Sequence, residues 1–260
     1  MSLPPENQGT KKQIKNIIIS QPEPEAGIKT PYHIMAEKLK INVTFLPFIK
    51  VEGLSLRDFR KNRVNIPDYT AVIFTSRNAV NNFFRLCTEQ RIKMPQETKY
   101  FCISESIALF LQKFILFRKR KVFFDKTNSI DGLKEMLKKH RKSEKFLFPC
   151  AADRKDSMEQ YLKDENFNFA PAVMFETVSA DLSGVDLKQY DMVVFFSPMG
   201  IKSLKENFPN FEQGNLVIGA LGPTTAKAVT DAGLRLDLQA PVPGIPSITM
   251  AIEQYIKEHA

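Results

Sequence analysis

The sequence predicts an α/β fold built as two similar parallel-sheet domains. Short apolar runs alternate with helix-patterned stretches along all 260 residues, as in parallel sheets with helices on both faces. The runs are continuously apolar rather than alternating with polar residues, as strands buried on both faces require. One stretch also occurs twice: VIFTSRNAVNNF from Val72 to Phe83, and VVFFSPMGIKSL from Val193 to Leu204.

Taken in order, NIIIS (16–20) is the first strand, and a helical pattern runs from Pro31 to Leu39. NVTFLPFIKV (42–51) is the next extended run. TAVIFTS (70–76) precedes a helix through Leu86, and KYFCIS (99–104) precedes one to about Phe114. KVFF (121–124) leads to SIDGLKEMLKKH (129–140), where Ser129 has the side chain and position of an N-cap. KFLFPC (145–150) is followed by a helix near Ser157–Leu162 and by APAVMFETV (170–178). The last third supplies DMVVFFS (191–197) with a helix to about Asn207, and LVIGALG (216–222) with a helix to Ala232. RLDLQ (235–239) and a helix from Ser247 to about Lys257 complete the order. Ten strand candidates exceed one small open sheet and suit two sheets of about five strands.

The repeat divides them. With Ser76 set against Ser197, Tyr69 meets Tyr190, Val72 meets Val193 and Phe74 meets Phe195. YFCISESIALFL (100–111) then matches the pattern of VIGALGPTTAKAV (217–229). The unit beginning at KFLFPC finds its counterpart near the N-terminus, in the unit beginning at KNIIIS. The two copies are therefore read as circularly permuted. Residues 14–46 and 180–260 are expected to form one discontinuous domain, with 52–172 inserted as the second. Segments 47–51 and 173–179 would be the crossings, and 1–13 a disordered tail. Strand-end loops of both domains would face a shared cleft, since ligands of open α/β sheets bind beyond the strand carboxyl ends.

Composition narrows the function. The chain carries a formal net charge of +8, and residues 113–155 hold 14 Lys/Arg against 5 Asp/Glu, a local net of +9. The remainder is near neutral (+8 minus +9 is −1), so an acidic partner is expected at the basic region unless it is only a solvated face. No apolar run approaches the about 20 residues of a membrane span. The N-terminus lacks the apolar core of a signal peptide, and three widely spaced cysteines suit a reduced, cytoplasmic protein. Three scattered histidines give no HExxH spacing, and GxGxxG, GxxxxGK[ST] and GxSxG are absent. Zinc-protease, dinucleotide, P-loop and serine-hydrolase chemistry lose their usual signals.

Small polar groups at strand ends remain. Thr75, Ser76 and Asn78 form one cluster, and Ser197, Pro198, Met199 and Gly200 its twin. Gly222, Thr224 and Thr225 form a third, opening a helix. Hydroxyls beside helix-start amides bind anions; as motifs alone, Ser76, Ser197 and Thr224 read first as helix N-caps. Arg154 and Lys155, after KFLFPC, either clamp carboxylates or sit on an exposed loop. FRKRK (117–121) suggests nucleic acid but lacks an aromatic stacking pattern.

VVFFSPMGIKSL followed by IGALGPTTAKAVTDAGLRL resembles the uroporphyrinogen-III synthase family, in particular its form in Bacteroides-type bacteria. VIFTSRNAV, the crossing VMFETVS and the permuted layout resemble it too. The resemblance runs from about Asn16 to the end. It implies two flavodoxin-like (Rossmann-like) domains joined by a two-stranded linker. It implies an enzyme of tetrapyrrole synthesis that takes linear hydroxymethylbilane, removes water and closes the ring. The last pyrrole is inverted on closure, through a spiro intermediate, and no cofactor or metal takes part. The expected partner is that polycarboxylate substrate, with no nucleic acid or membrane, and the chain is expected to be a monomer. Thr75, Ser76 and Asn78 would line one wall, and Ser197, Pro198, Met199 and Gly200 the other. Gly222, with Thr224 and Thr225 as the catalytic candidates, would supply donors; Arg154 and Lys155 stand where the family often has a basic pair. Three departures from the family pattern stand out. Phe175 stands where a tyrosine proposed to assist hydroxyl departure is common, Ser20-Gln21 stand for Thr-Arg, and Ser104 and Ile107 stand for Gly and Thr. The other reading is a non-catalytic two-domain module that binds an acidic small ligand.

Overall fold

The computed structural model describes residues 13–25, 27–125, 127–154 and 157–259. The expected tail therefore lies almost wholly outside the described residues. The chain forms two compact units, one of Met1–Lys50 with Val178–Ala260, the other of Val51–Thr177.

In the first unit the strands are β1 (Asn16–Ile19), β2 (Asn42–Phe45), β9 (Met192–Phe195), β10 (Val217–Leu221) and β11 (Leu238–Ala240). Their order is β11-β10-β9-β1-β2, and every pairing is parallel. Counted along this unit, the order is the doubly wound 2-1-3-4-5 of flavodoxin-like sheets. Helices α1 (Pro31–Leu39), α7 (Pro198–Asn207), α8 (Pro223–Asp231) and α9 (Ile248–His259) cover it. The continuous apolar runs now have their reason. In β1, Ile18 packs with Val193 and Ile218 on one face, while Ile17 and Ile19 pack with Met192 and Val194 on the other. A polar residue at any of these positions would be buried without a partner. Thr30 precedes α1 and Pro31 occupies its first position, where a missing amide proton is harmless.

The second unit contains β4 (Ala71–Phe74), β5 (Lys99–Cys102), β6 (Val122–Phe124), β7 (Phe146–Ala151), β8 (Phe169–Ser179) and β3 (Ile49–Gly53). Their order is β3-β8-β7-β4-β5-β6. Here too neighbours in sequence part to opposite faces. Val72, Phe74, Tyr100 and Cys102 share one core, and Ala71, Ile73, Phe101 and Phe148 the other. Helices α3 (Arg77–Glu89), α4 (Glu105–Phe110), α5 (Ile130–His140) and α6 (Ser157–Asp164) come after their strands, and the short α2 (Leu56–Arg60) precedes β4. Ser129 caps α5 by accepting the Gly132 amide at 2.9 Å.

The chain passes between the units within β3 and within β8, which are neighbours in the sheet. Ala180 donates to the Phe48 carbonyl and Leu54 to that of Met174, both at 2.9 Å. One index rises as the other falls, so the pair is antiparallel. The single run read at 42–51 is two strands, because Pro47 cannot donate to a ladder and the chain breaks there.

Cys87, Cys102 and Cys150 are all buried. Burial pushes their thiols up to about 12, 12 and 11 respectively, so each remains a protonated apolar filler at neutral pH.

Candidate functional site

Three strand ends share one backbone device. β4 ends at Phe74, and Ser76, at φ −155° and ψ 159°, caps α3 by accepting the Ala79 amide at 3.1 Å. β9 ends at Phe195, and Ser197, at φ −155° and ψ 155°, caps α7 by accepting the Gly200 amide at 3.3 Å. β5 ends at Cys102, and Ser104, at φ −146° and ψ 158°, accepts the Ile107 amide at 3.3 Å. A capping oxygen that accepts an amide still carries a hydroxyl proton to donate outward. The remaining first-turn amides point beyond the sheet, where carboxylates are favoured.

Around the first cap, Thr75 is half-buried and Asn78 exposed. Around the second, Pro198 is exposed, Met199 half-buried and Gly200 buried. A Cβ on Gly200 would stand 3.0 Å from the Phe195 ring, so the helix start lies close upon the preceding strand.

The third cluster differs from the expectation that Thr224 is a cap. Gly222 is the N-cap of α8, at φ 84° and ψ 152°, with Pro223 at the first helical position. Thr224 is exposed, whereas Thr225 is only 1% exposed. The Gly222 amide donates to the Ala240 carbonyl at 2.7 Å, which anchors this turn to the end of β11. No side chain other than hydrogen tolerates that backbone conformation easily.

Arg154 is half-buried and held internally. Its Nε donates to Glu159 at 3.1 Å, its Nη2 also reaches that carboxylate, and its Nη1 donates to the Ala151 carbonyl at 3.3 Å. Hydrogen bonds from Lys163 and Arg154 hold the Glu159 carboxyl below its usual range. Lys155 lies outside the described residues. Phe175 belongs to the core of the second unit and is 7% exposed. A register shift between Cys150 and Ala151 brings Ala151 opposite Phe175, so both Met174 and Phe175 are buried. Of the other two departures, Ser20-Gln21 has Ser20 buried and Gln21 half-buried, and Ser104 with Ile107 has Ser104 half-buried and Ile107 buried.

Sequence reasoning passed over Asp125, just after β6. The Thr127 amide donates to its carboxylate at 2.8 Å, and the Thr127 and Ser129 hydroxyls lie 2.7 Å apart. A carboxylate among hydroxyls at a strand end was signalled only by the string DKTNS. Among the described residues, no group of three or more His, Cys, Asp or Glu stands close enough to hold a metal ion. A cavity of about 800 Å³ lies elsewhere, among residues preceding β9 and β10 such as Tyr190, Phe208 and Phe211. That is the amino end of those strands, and none of the residues above lines it.

Residues 32–250 match the sequence model of HEM4, described as uroporphyrinogen-III synthase HemD. A crystal structure of uroporphyrinogen-III synthetase from Helicobacter pylori is similar over 94% of this chain and 100% of that one, with TM-score 0.56 and 17% identity. A mutant uroporphyrinogen III synthase from Thermus thermophilus covers 94% and 98% at 12% identity, with TM-score 0.47. At such identity the Helicobacter likeness speaks for the fold, two α/β domains with mostly parallel sheets. The family match extends over most of the sequence and includes both repeated strand–cap–helix stretches. The chain belongs to the uroporphyrinogen-III synthase family.

Proposed function

We propose that this chain converts hydroxymethylbilane to uroporphyrinogen III, with the capped strand ends holding the substrate's acetate and propionate arms. The family match supports the reaction. The observation that carries the site is the common cap geometry of Ser76 and Ser197, whose φ and ψ agree within a few degrees. Each opens a helix of at least ten residues, so partial positive charge gathers beside a donor hydroxyl.

The chemistry asks for positioning more than for strong acids or bases. Ring closure joins two ends of one molecule, and orientation alone contributes several powers of ten to such steps. Water departs from an electron-rich pyrrole carbinol, which needs modest proton assistance. Phe175 has no proton to give, so the hydroxyls at the start of α8 are the candidates. Thr224 is exposed and would offer its hydroxyl to the substrate, while Thr225, buried in the same helix turn, would act as a positioning residue. Thr75, Asn78, Pro198, Met199 and Gly222 would shape the walls around the arms. Arg154 would act through its Glu159 pairing, with Lys155, next in sequence, as a second cation for the arms.

The permuted repeat is part of this reading. Matching β4, β5 and β6 to β9, β10 and β11, and β7 and β8 to β1 and β2, makes the two sheet orders correspond, with β3 added at one edge. We also assign the chain to the Bacteroides-type form, on the FSPMG and GPTTA strings. It would work as a cytoplasmic monomer, without nucleic acid.

Thr224→Ala is expected to lower kcat for hydroxymethylbilane about 100-fold, the lower end of what one proton-transferring group contributes. Thr225→Ala is expected to lower kcat with the circular dichroism spectrum unchanged. Steady-state kinetics of both variants check this. Unaltered constants in Thr224→Ala would remove α8 from the site, and a lost fold in Thr225→Ala would make that residue a packing element only.

A further inference from the structure

The segment from Leu109 to Lys121, LFLQKFILFRKRK, takes no part in the site above. It holds five Lys/Arg and no Asp or Glu. It finishes α4, continues through a 3-10 turn at Leu111–Lys113 and leads to β6. Its apolar residues range from buried to exposed, with Phe110, Ile115 and Phe117 half-buried. Leu111 is fully buried, but Leu109 is 50% exposed, Phe114 39% and Leu116 79%, the last being the most exposed large apolar side chain among the described residues. Exposed cations accompany them at Lys113, Lys119 and Arg120. Lys113 and Arg77 both lie over the Phe110 ring, at 4.9 and 5.5 Å. Phe114 stacks on Phe84 at 4.7 Å, and with Leu116, Tyr100, Lys93 and Arg118 these rings line a cavity of about 400 Å³.

A partner must satisfy both features. Nucleic acid would complement the cations and stack on exposed rings, but it offers no hydrocarbon to cover the aliphatic Leu109 and Leu116. An anionic bilayer offers both, phosphates at the surface and hydrocarbon beneath. We propose that this segment docks the protein on the surface of an anionic phospholipid membrane. Leu109, Phe114 and Leu116 enter the headgroup boundary, and Lys113, Lys119 and Arg120 meet the lipid phosphates. No described helix is long and apolar enough to cross a membrane, so the contact is peripheral. It adds a partner that the sequence reading did not expect.

Co-sedimentation of the whole protein with vesicles tests this. Vesicles containing about 30% phosphatidylserine in phosphatidylcholine are expected to bind it at least about tenfold more tightly than phosphatidylcholine alone, and high salt should release it. Leu116→Asp, and separately Lys119→Gln with Arg120→Gln, should each weaken binding about tenfold while conversion of hydroxymethylbilane stays unchanged. Equal pelleting with both vesicle types, or none, would overturn the proposal. So would undiminished binding by Leu116→Asp, or single-stranded polynucleotide that binds the wild type and Leu116→Asp alike and displaces the vesicles.

Discussion

Replacing Gly222 with valine is expected to abolish most turnover while both sheets stay folded. The residue sits at φ 84° and ψ 152°, a region reached by little besides glycine. A Cβ there would meet no atom within 4 Å, so the penalty is torsional rather than steric. Such strain costs about 1–3 kcal/mol. The turn can relieve it only by rotating the peptide whose amide donates to Ala240. That rotation moves the start of α8, and with it Thr224. Displacing a positioning group by about 1 Å costs on the order of 100-fold in rate. Kinetics and far-ultraviolet circular dichroism together check this. A folded variant with wild-type turnover would separate the start of α8 from the reaction.

Asp191→Ala is expected to destabilise the first unit by about 3 kcal/mol, since hydrogen bonds to a charged acceptor contribute about 1.5–3 kcal/mol each. The buried carboxylate accepts the Lys15 amide at 2.8 Å and the Asn16 amide at 2.9 Å, and alanine would leave both amides without that acceptor. The Asp191 amide donates to Asn16, and its carbonyl accepts from Val217, both at 2.9 Å. One residue thus ties the starts of β1, β9 and β10, joining segments about 175 positions apart in sequence. The midpoint in urea should fall by roughly 1–2 M. Hydrogen exchange should rise in β1 and β9 and not in residues 51–177, since domains can unfold separately. A uniform rise across both units, or no shift in the midpoint, would contradict this role for Asp191.

The central strands were readable because β1, β4 and β9 are buried on both faces. NIIIS, TAVIFTS and DMVVFFS hardly permit another reading, and Ser76, Ser129 and Ser197 stand where caps stand. The features that escaped were short or depended on distant partners. Five-residue α2 is too brief to show a helical period. Thr224 looked like a cap because a hydroxyl is the usual choice, but a glycine with positive φ closes the turn two residues earlier. Arg154 looked free because its partner Glu159 lies five positions on, inside α6. The burial of Phe175 stems from a register shift that leaves no mark in the local pattern.

That these strand ends steer ring closure is tested most directly by product identity. Hydroxymethylbilane would be generated in situ with the protein present, the product oxidised, and the uroporphyrin isomers separated by chromatography. Mostly isomer III is expected, formed although Phe175 offers no proton. An isomer I yield equal to that without protein would contradict the proposed reaction and leave the fold as a binding module for acidic ligands.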